Sequence, residues 1–518
     1  MTSLILLLLL LLSSLLSPSS PVEFRDSLSD LSQQSILHCS TLTSTDKLLC
    51  EFAGAIDDQG NPATRTPTVQ SSSCKFKEDG AYNAYYPYAT SPSQELTTIL
   101  EKYFSMHQRC VAKDLATLAN AYSSGGRPLC QYVIWGASGD GLGNRLMSLM
   151  SAFLYSILSA RVLLIDYPEW RELFCEPFLG STISIPQGAA FDRGIGAWNV
   201  EFLDAKCGSP LSSVNNGGCN NTIVKLSLDH DTPLREYDFV MCPLGYSRLR
   251  NVPFVTIREC NQYLVPGFYA NPVLTPLMDL LFPERNVFHV LSRYLLSPSD
   301  PMWHSIRDDT DVQASRRIGI QIREFQFEKY TSEYDDNIVR CLWERGGILP
   351  RRFRKGVCEG EYLAIHVATL EKGHVLKVNE TMKIIEEETG VEARVSRQAV
   401  DGREAHDAAH QEEALIDIWV LSMSHVLITS IYSTFGYVAS ALSGVAANFI
   451  DKREGESCKV SNGVEPCFHA APKLLVCSDD ELMRYTAFDL AVNSSWVRPC
   501  ADRIVLGWTL AKGTSYPK

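Results

Sequence analysis

The segment from Tyr132 to Asp166 constrains the fold of this 518-residue chain more than any other. Tyr132-Val-Ile-Trp135 predicts a short strand, and a loop with four glycines, from Gly136 to Gly143, follows it. Apolar residues from Leu146 to Ile157 then recur at the spacing of one buried helix face. Val162-Leu-Leu-Ile165 predicts a second strand. Strand, glycine loop, helix and strand form the βαβ unit of a parallel sheet, so this segment predicts an α/β fold.

A second α/β region begins near Arg316. Ile318-Gly-Ile-Gln-Ile322 predicts a strand that ends at Arg323, and the stretch from Glu361 to Thr369 predicts another. Helices are expected at 375–388 and 412–422, strands at 426–429 and 446–450, and one more helix after the Ser-Thr-Phe-Gly segment near 433. Two such regions, joined by the polar stretch at 297–317, predict two domains that face a cleft.

The N-terminus indicates the secretory pathway. The unbroken apolar run from Leu4 to Leu12 has no Lys or Arg before it and is shorter than the ~20 residues that a spanning helix usually needs. A cleaved signal peptide, a short signal anchor and the front of a longer anchor all remain open. Residues 18–75 are rich in Ser, Thr, Asp and Pro, which is the composition of a stem before a folded body.

The sixteen cysteines agree with a lumenal chain, and the charge restricts its partners. Their spacings contain no CxxC pair with paired histidines, so disulfides are expected rather than a zinc site. Three N-glycosylation sequons begin at Asn220, Asn379 and Asn493. The formal net charge of -13 argues against a nucleic-acid partner, because phosphate backbones bind a basic field.

Two motifs have the chemistry of anion binding. Gly139-Asp-Gly-Leu-Gly143-Asn144-Arg145 combines glycines, a helix start and a guanidinium, although a tight structural turn is the alternative. Arg323 follows a buried strand, where a guanidinium suits bidentate phosphate recognition. A salt bridge to Glu324 or Glu328 would explain Arg323 equally well.

A third motif, Ser433-Thr-Phe-Gly436, follows a strand and opens a helix, so its hydroxyl and N–H groups can bind a diphosphate. An ordinary helix N-cap is the alternative. Two D-x-D pairs, Asp229-His-Asp231 and Asp309-Thr-Asp311, lie in polar connections without a convincing strand before them, and no metal site is predicted from either.

These strings together resemble one family. Gly141-Leu-Gly-Asn-Arg145, Arg161-Val-Leu-Leu-Ile-Asp166, Ile318-Gly-Ile-Gln-Ile-Arg323, Ser433-Thr-Phe-Gly-Tyr-Val-Ala439 and Glu465-Pro-Cys-Phe-His469 occur in the order of the blocks of plant xyloglucan fucosyltransferases. The similarity to these galactoside α-1,2-fucosyltransferases, glycosyltransferase family 37, covers nearly everything after the stem. So many ordered blocks are highly specific.

The resemblance implies a GT-B-like architecture of two Rossmann-type domains and transfer of fucose from GDP-fucose to a galactose of a wall polysaccharide such as xyloglucan. It also implies inversion to an α-1,2 linkage, with no cofactor and no metal. Arg323 would hold the leaving diphosphate. The donor-binding residues carried over are Gly141, Gly143, Asn144, Arg145, Gln321, Arg323, Ser433, Thr434, Phe435 and Gly436.

The sequence does not identify a single residue as the general base. Asp140 and Asp166 are the first candidates, with Glu176 and Asp502 behind them, and a dissociative path would reduce the need for a strong base. A GDP-sugar-binding or glycan-binding protein without turnover, or a fucosyltransferase for arabinogalactan, are the alternatives for function.

The expected partners are GDP-fucose, a galactose-containing polysaccharide, the Golgi membrane and a second copy in a homodimer. The expected location is the Golgi lumen, as a single-pass type II membrane protein. The predicted domains are a signal or anchor at 1–17, a stem at 18–75, an acceptor-side domain at 76–305, a GDP-fucose-binding domain at 306–490 and a C-terminal tail at 491–518.

Overall fold

The computed structural model describes the folded body of the chain. The described residues are 74–86, 90–111, 128–178, 180–185, 197–198, 223–228, 252–324, 332–345, 362–396, 408–451, 458–471, 474–476, 484–486, 496–502 and 507–511, with a few isolated positions. The apolar run at 1–17, nearly all of the stem, and the sequons at Asn220 and Asn493 lie outside them. Within the described part, no helix is both long enough and apolar enough to cross a membrane.

The first half of the described chain forms a parallel sheet with helices around it. Its elements are α1 Lys75–Glu78, α2 Ala81–Tyr85, α3 Gln94–Val111, β1 Tyr132–Gly136, α4 Leu142–Leu158, β2 Val162–Asp166, α5 Trp170–Leu173, β3 Ala197–Trp198, β4 Ile223–Ser227, β5 Phe254–Arg258, α6 Val265–Ala270, α7 Thr275–Leu281, α8 Val287–Leu295 and α9 Asp300–Asp309. The strands pair in parallel in the order β2-β1-β5-β4-β3. The βαβ unit predicted around the glycine loop is therefore confirmed.

The second half forms another sheet. Its elements are β6 Arg316–Ile322, α10 Ser332–Arg345, β7 Tyr362–Thr369, α11 Lys372–Thr389, β8 Glu392–Ser396, α12 Ala408–Ser422, β9 Val426–Ser430, α13 Thr434–Ser443, β10 Asn448–Ile450 and β11 Lys459–Val460, followed by the short pairs β12 Leu474–Val476 with β13 Arg484–Thr486 and β14 Val497–Pro499 with β15 Trp508–Leu510. The order is β11-β10-β9-β6-β7-β8, parallel except for β11. The predicted α/β class and the second α/β region are confirmed.

One hydrophobic core joins the two sheets. The larger cluster of buried residues contains strands β1, β2 and β5 together with helices α12 and α13, whose Trp419 and Val438 are fully buried. A smaller cluster covers the opposite face of the second sheet, against α10 and α11. Helices α12 and α13 therefore lie between the sheets, and α13 packs along α4.

Four disulfides are formed within the described residues: Cys74–Cys175, Cys110–Cys130, Cys341–Cys458 and Cys467–Cys500. They confirm the prediction that the cysteines of this chain form disulfides. The last bridge attaches the β14–β15 pair to the segment that carries His469.

Candidate active site

Two helix N-termini meet between the sheets. Gly141 precedes α4 and Ser433 precedes α13; both have extended backbone angles. Gly141 has no side chain to cap its helix, and the Ser433 side chain makes no capping hydrogen bond. Neither helix has an acidic residue in its first turn. A Cβ placed on Gly143 would lie 2.9 Å from Phe435 N and from the Thr434 carbonyl carbon, so the two helix ends are in direct contact. Backbone N–H groups at a helix start have no partner within the helix, and two such ends side by side favour an anion.

A pocket of 470 Å³ opens beside these helix ends. It is lined where β1, β6, β7 and β9 end and by one side of α12, so the carboxyl ends of parallel strands from both sheets enclose it. Nine of the ten residues carried over as donor-binding line this pocket. The tenth, Gly436, instead packs on β9, because a Cβ there would lie 2.7 Å from the Cβ of Thr429.

Arg145 is buried at the junction of the two sheets. Its Nε donates to the carbonyl of Ser138 at 2.9 Å, and its Nη1 donates to Gln411 Oε1 at 2.8 Å and to the Tyr167 hydroxyl at 3.2 Å. The Tyr167 hydroxyl also donates to Gln411, and burial raises the pKa of this tyrosine to about 12, so it stays protonated. Nη2 of Arg145 makes no hydrogen bond to any residue of the described chain, and it remains available at the pocket. The side chain therefore ties the sheets together and still presents a cationic donor.

Arg323 and Gln321 come from the end of β6. The Arg323 N–H donates to the Ser430 hydroxyl at 2.8 Å, which fixes the strand end against β9, and the side chain borders the pocket. Gln321 is 4% exposed, and its Oε1 has no hydrogen-bond partner among the described residues. The buried Oδ1 of Asn144 also lacks one there. Buried amides are normally hydrogen-bonded, so these two indicate groups reserved for a polar ligand.

The two base candidates lie in different surroundings. Asp140 lines the pocket, and its carboxylate forms no hydrogen bond or ion pair with the described residues, while its backbone N–H donates to the Ser138 hydroxyl. Asp166 lies outside the pocket lining and forms an ion pair with Arg258, with 2.6 Å between Oδ2 and Nη2. Glu176 accepts hydrogen bonds from the Thr182 hydroxyl and the Ile183 N–H. Only Asp140 of these three carboxylates faces the pocket.

Sequence reasoning missed Asp417. This α12 residue is 7% exposed, lines the pocket, and accepts a hydrogen bond from His366 Nε2 at 2.9 Å. His366 lies on β7, and its Nδ1 is 3.3 Å from the Ser396 hydroxyl. A lone acid within the otherwise apolar run from Leu415 to Leu421 would have been the signal, since an acid is rarely buried without a role.

The remaining sequence motifs are the two D-x-D pairs, His469 and the sequon at Asn379. Asp309 is the last residue of α9 and Asp311 follows the helix; both line a second cavity of 410 Å³, where Asp311 accepts a hydrogen bond from the Tyr362 hydroxyl at 2.5 Å. The other D-x-D pair lies outside the described residues. His469, from the Glu465-Pro-Cys-Phe-His469 string, lines the pocket and contacts the Gln262 amide. The sequon at Asn379 lies inside α11 on a half-buried residue.

The fold and the pocket define a class first. Two parallel α/β sheets that enclose helix N-termini, guanidinium groups and a buried carboxylate at their carboxyl ends are the arrangement of a protein that binds a phosphorylated ligand, such as a nucleotide, between its halves.

The comparisons with known proteins specify the family. A family model described as xyloglucan fucosyltransferase matches residues 45–477. The galactoside 2-alpha-L-fucosyltransferase of Pisum sativum is 30% identical over 407 residues, covering 74% of this chain and 71% of the relative. The Arabidopsis thaliana protein of the same name is 28% identical over 465 residues, covering 84% and 81%. A solved structure of an Arabidopsis thaliana FUT1 point mutant in complex with GDP aligns with a TM-score of 0.71 and 26% identity, over 88% of this chain and 99% of that chain. The chain belongs to the xyloglucan fucosyltransferase family, which confirms the family and the fucosyltransferase class predicted from its sequence.

Proposed function

We propose that this chain transfers fucose from GDP-fucose to a galactose of a cell-wall polysaccharide such as xyloglucan, forming an α-1,2 linkage with inversion in a GT-B-like cleft. The observation that carries the proposal is the convergence of the α4 and α13 N-termini with Arg145 and Arg323 on one pocket. The relatives named galactoside 2-alpha-L-fucosyltransferase and the aligned structure with GDP support it.

The donor diphosphate would lie at the two helix ends. Negative charge grows on GDP as the bond to fucose breaks, and preorganised N–H donors and guanidinium groups stabilise such charge in a site sheltered from water. The backbone N–H of Arg323 is held by Ser430 at the end of β6, so the point from which the side chain reaches the diphosphate is set before the donor binds. Because the guanidinium groups of Arg145 and Arg323 already supply positive charge, we propose that no metal and no cofactor takes part; activity that EDTA abolishes and Mn²⁺ restores would contradict this.

We propose that Asp417 recognises the guanine of GDP-fucose. A guanine presents neighbouring N–H donors, and a carboxylate accepts two hydrogen bonds from such an edge. His366 holds one oxygen of Asp417, Oδ1, while Oδ2 forms no hydrogen bond or ion pair with the described residues, and the residue lines the pocket. The buried pair thus orients an acceptor for a purine amine.

Asp140 is proposed as the group that takes the proton from the galactose hydroxyl. It belongs to the glycine loop at the pocket, whereas the carboxylate of Asp166 is neutralised by Arg258. A general base has to come within hydrogen-bond distance of the hydroxyl. Of the four candidates named from the sequence, only Asp140 lines the pocket, and the other carboxylate there, Asp417, is paired with His366.

The acceptor and the location belong to the same proposal. The Cys467–Cys500 and Cys341–Cys458 bridges require an oxidising compartment, which supports a Golgi-lumenal catalytic body with the N-terminal run as its membrane attachment. Xyloglucan is the proposed acceptor, and an arabinogalactan galactose is the second candidate.

The test is transfer by a lumenal protein from labelled GDP-fucose to a panel of galactosylated polysaccharides. Arg323→Ala is expected to lose transfer and GDP binding while it stays folded. Arg171→Ala, an exposed arginine outside the pocket lining, is the matched control and should behave as wild type. A folded Arg323→Ala protein with normal turnover would refute the diphosphate assignment. GDP binding without transfer to any acceptor would favour a binding protein over an enzyme.

A further inference from the structure

The connection between β9 and α13 contains a disfavoured backbone conformation. Tyr432 has φ of 62°, in the left-handed region that aromatic residues rarely adopt. It immediately precedes Ser433 and lines the pocket. Such conformations persist only where surrounding contacts hold them, and they cluster at ligand sites.

The contact that holds Tyr432 comes from the C-terminal segment. Asp502 Oδ2 accepts the backbone N–H of Tyr432 at 2.9 Å and the hydroxyl of Tyr437 at 2.5 Å. Tyr432 lies just before α13, and Tyr437 is the last residue of its first turn. One carboxylate oxygen therefore binds both sides of the turn that contains Ser433, Thr434 and Phe435.

Asp502 is itself held in place. It follows Cys500 by two residues, and the Cys467–Cys500 bridge connects it to the segment of His469, which also lines the pocket. The second oxygen of Asp502, Oδ1, is buried and has no hydrogen-bond partner among the described residues. A carboxylate with a buried oxygen left without a partner is costly, so its retention calls for a compensating role.

We propose that Asp502 is a positioning residue for donor binding: it stabilises the left-handed Tyr432 and thereby sets the first turn of α13, with its N–H groups, against the diphosphate. The inference rests on the proposed function, because it concerns the same pocket. It assigns no chemical step to Asp502, which reaches the donor only through the α13 turn.

The test is a double-mutant cycle on GDP affinity. Asp502→Ala is expected to raise the Kd for GDP and the KM for GDP-fucose about tenfold or more, with a smaller change in kcat, since one charge-assisted hydrogen bond to the backbone is lost. Glycine adopts positive φ without strain, so in a Tyr432→Gly background the same Asp502→Ala change should cost less than about threefold. Tyr437→Phe, which removes one of the two hydrogen bonds and keeps the ring, should have an intermediate effect.

An equal loss in both backgrounds would overturn the proposal, because Asp502 would then act independently of the Tyr432 conformation. So would an Asp502→Ala protein with wild-type GDP affinity. Asp502→Asn, which keeps an acceptor oxygen, should retain most of the affinity. If Asp502→Ala does not fold, the cycle is run with Asp502→Leu, which keeps the side-chain volume and removes the acceptor. Failure of the wild-type chain to bind GDP at all would refute the proposed function instead, and titration of the wild-type protein separates the two results.

Discussion

Gly143→Ala tests whether contact between two helix ends builds the donor site. The added Cβ would lie 2.9 Å from Phe435 N and from the Thr434 carbonyl carbon, both backbone atoms that cannot rotate away. Ordinary van der Waals contact begins at 3.4 Å, so the α4 and α13 N-termini would have to separate by about 0.5 Å.

The size of the effect follows from that displacement. Overpacking of this kind costs about 1–3 kcal/mol of stability, which for a chain of this length corresponds to a fall in Tm of roughly 1–4 °C. Moving one helix end away from the diphosphate would weaken a hydrogen bond to a charged group, worth about 1.5–3 kcal/mol, or about 10- to 150-fold in GDP affinity. The loss of binding is therefore expected to exceed what a mild loss of stability explains.

The assay is calorimetric titration with GDP, together with thermal unfolding and initial rates of fucosyl transfer. Gly139→Ala is the matched control in the same loop, since its Cβ would meet nothing within 4 Å and its φ is not positive. Gly139→Ala should keep GDP affinity within about twofold. A folded Gly143→Ala protein with wild-type affinity would show that the contact of α4 with α13 does not shape the site.

Three further changes have defined outcomes. Asp417→Asn should weaken GDP binding and reduce the preference for GDP over ADP in a competition assay, because His366 would then orient an amide instead of a carboxylate. Burial raises the pKa of Glu465 from 4.5 to about 8, so the folded protein keeps a proton that the unfolded chain releases. Stability, measured as Tm, should therefore fall as pH rises from about 4.5 to 8. Glu465→Gln should flatten this dependence of Tm on pH, and an unchanged slope would contradict the assignment. Cys467→Ser removes the bridge to Cys500, which closes a loop of 33 residues. The free energy of unfolding in denaturant should fall by about 4 kcal/mol, and the KM for GDP-fucose should rise. A change in neither quantity would contradict a role of this bridge at the pocket.

The sequence predicted those parts of the fold that local patterns specify. The glycine loop lies between an apolar strand and an apolar helix face, so its βαβ unit needed no tertiary information. Arg323 could be placed at a strand end for the same reason, since Ile318–Ile322 is uniformly apolar except for Gln321. Parallel strands bring their carboxyl ends to one edge, which is why motifs far apart in the chain could be expected at one site.

Contacts between distant segments could not be predicted this way. His366 and Asp417 are 51 residues apart, and Asp502 lies 70 residues from Tyr432. Each pair is polar and meets only after both sheets have formed, and no periodicity in the sequence records which acid faces which partner. The conformation of Tyr432 was equally hidden, because glycine or asparagine is the usual signal for a positive φ and neither is present there.

The sequence could not show that Arg145 both holds the two sheets together and lines the donor pocket, because its position depends on how the sheets pack. A guanidinium has five N–H donors, so one side chain can hold Ser138 and Gln411 and still offer a donor to a ligand. Gln411 belongs to α12, which is buried in the core shared by both sheets, so the position of Arg145 depends on how the second sheet packs on the first. Gly143 depends on the same packing, because its neighbours on α13 come from that shared core. The donor site is thus a property of the interface between the sheets, and a change that loosens that interface should weaken donor binding even when it touches no pocket residue.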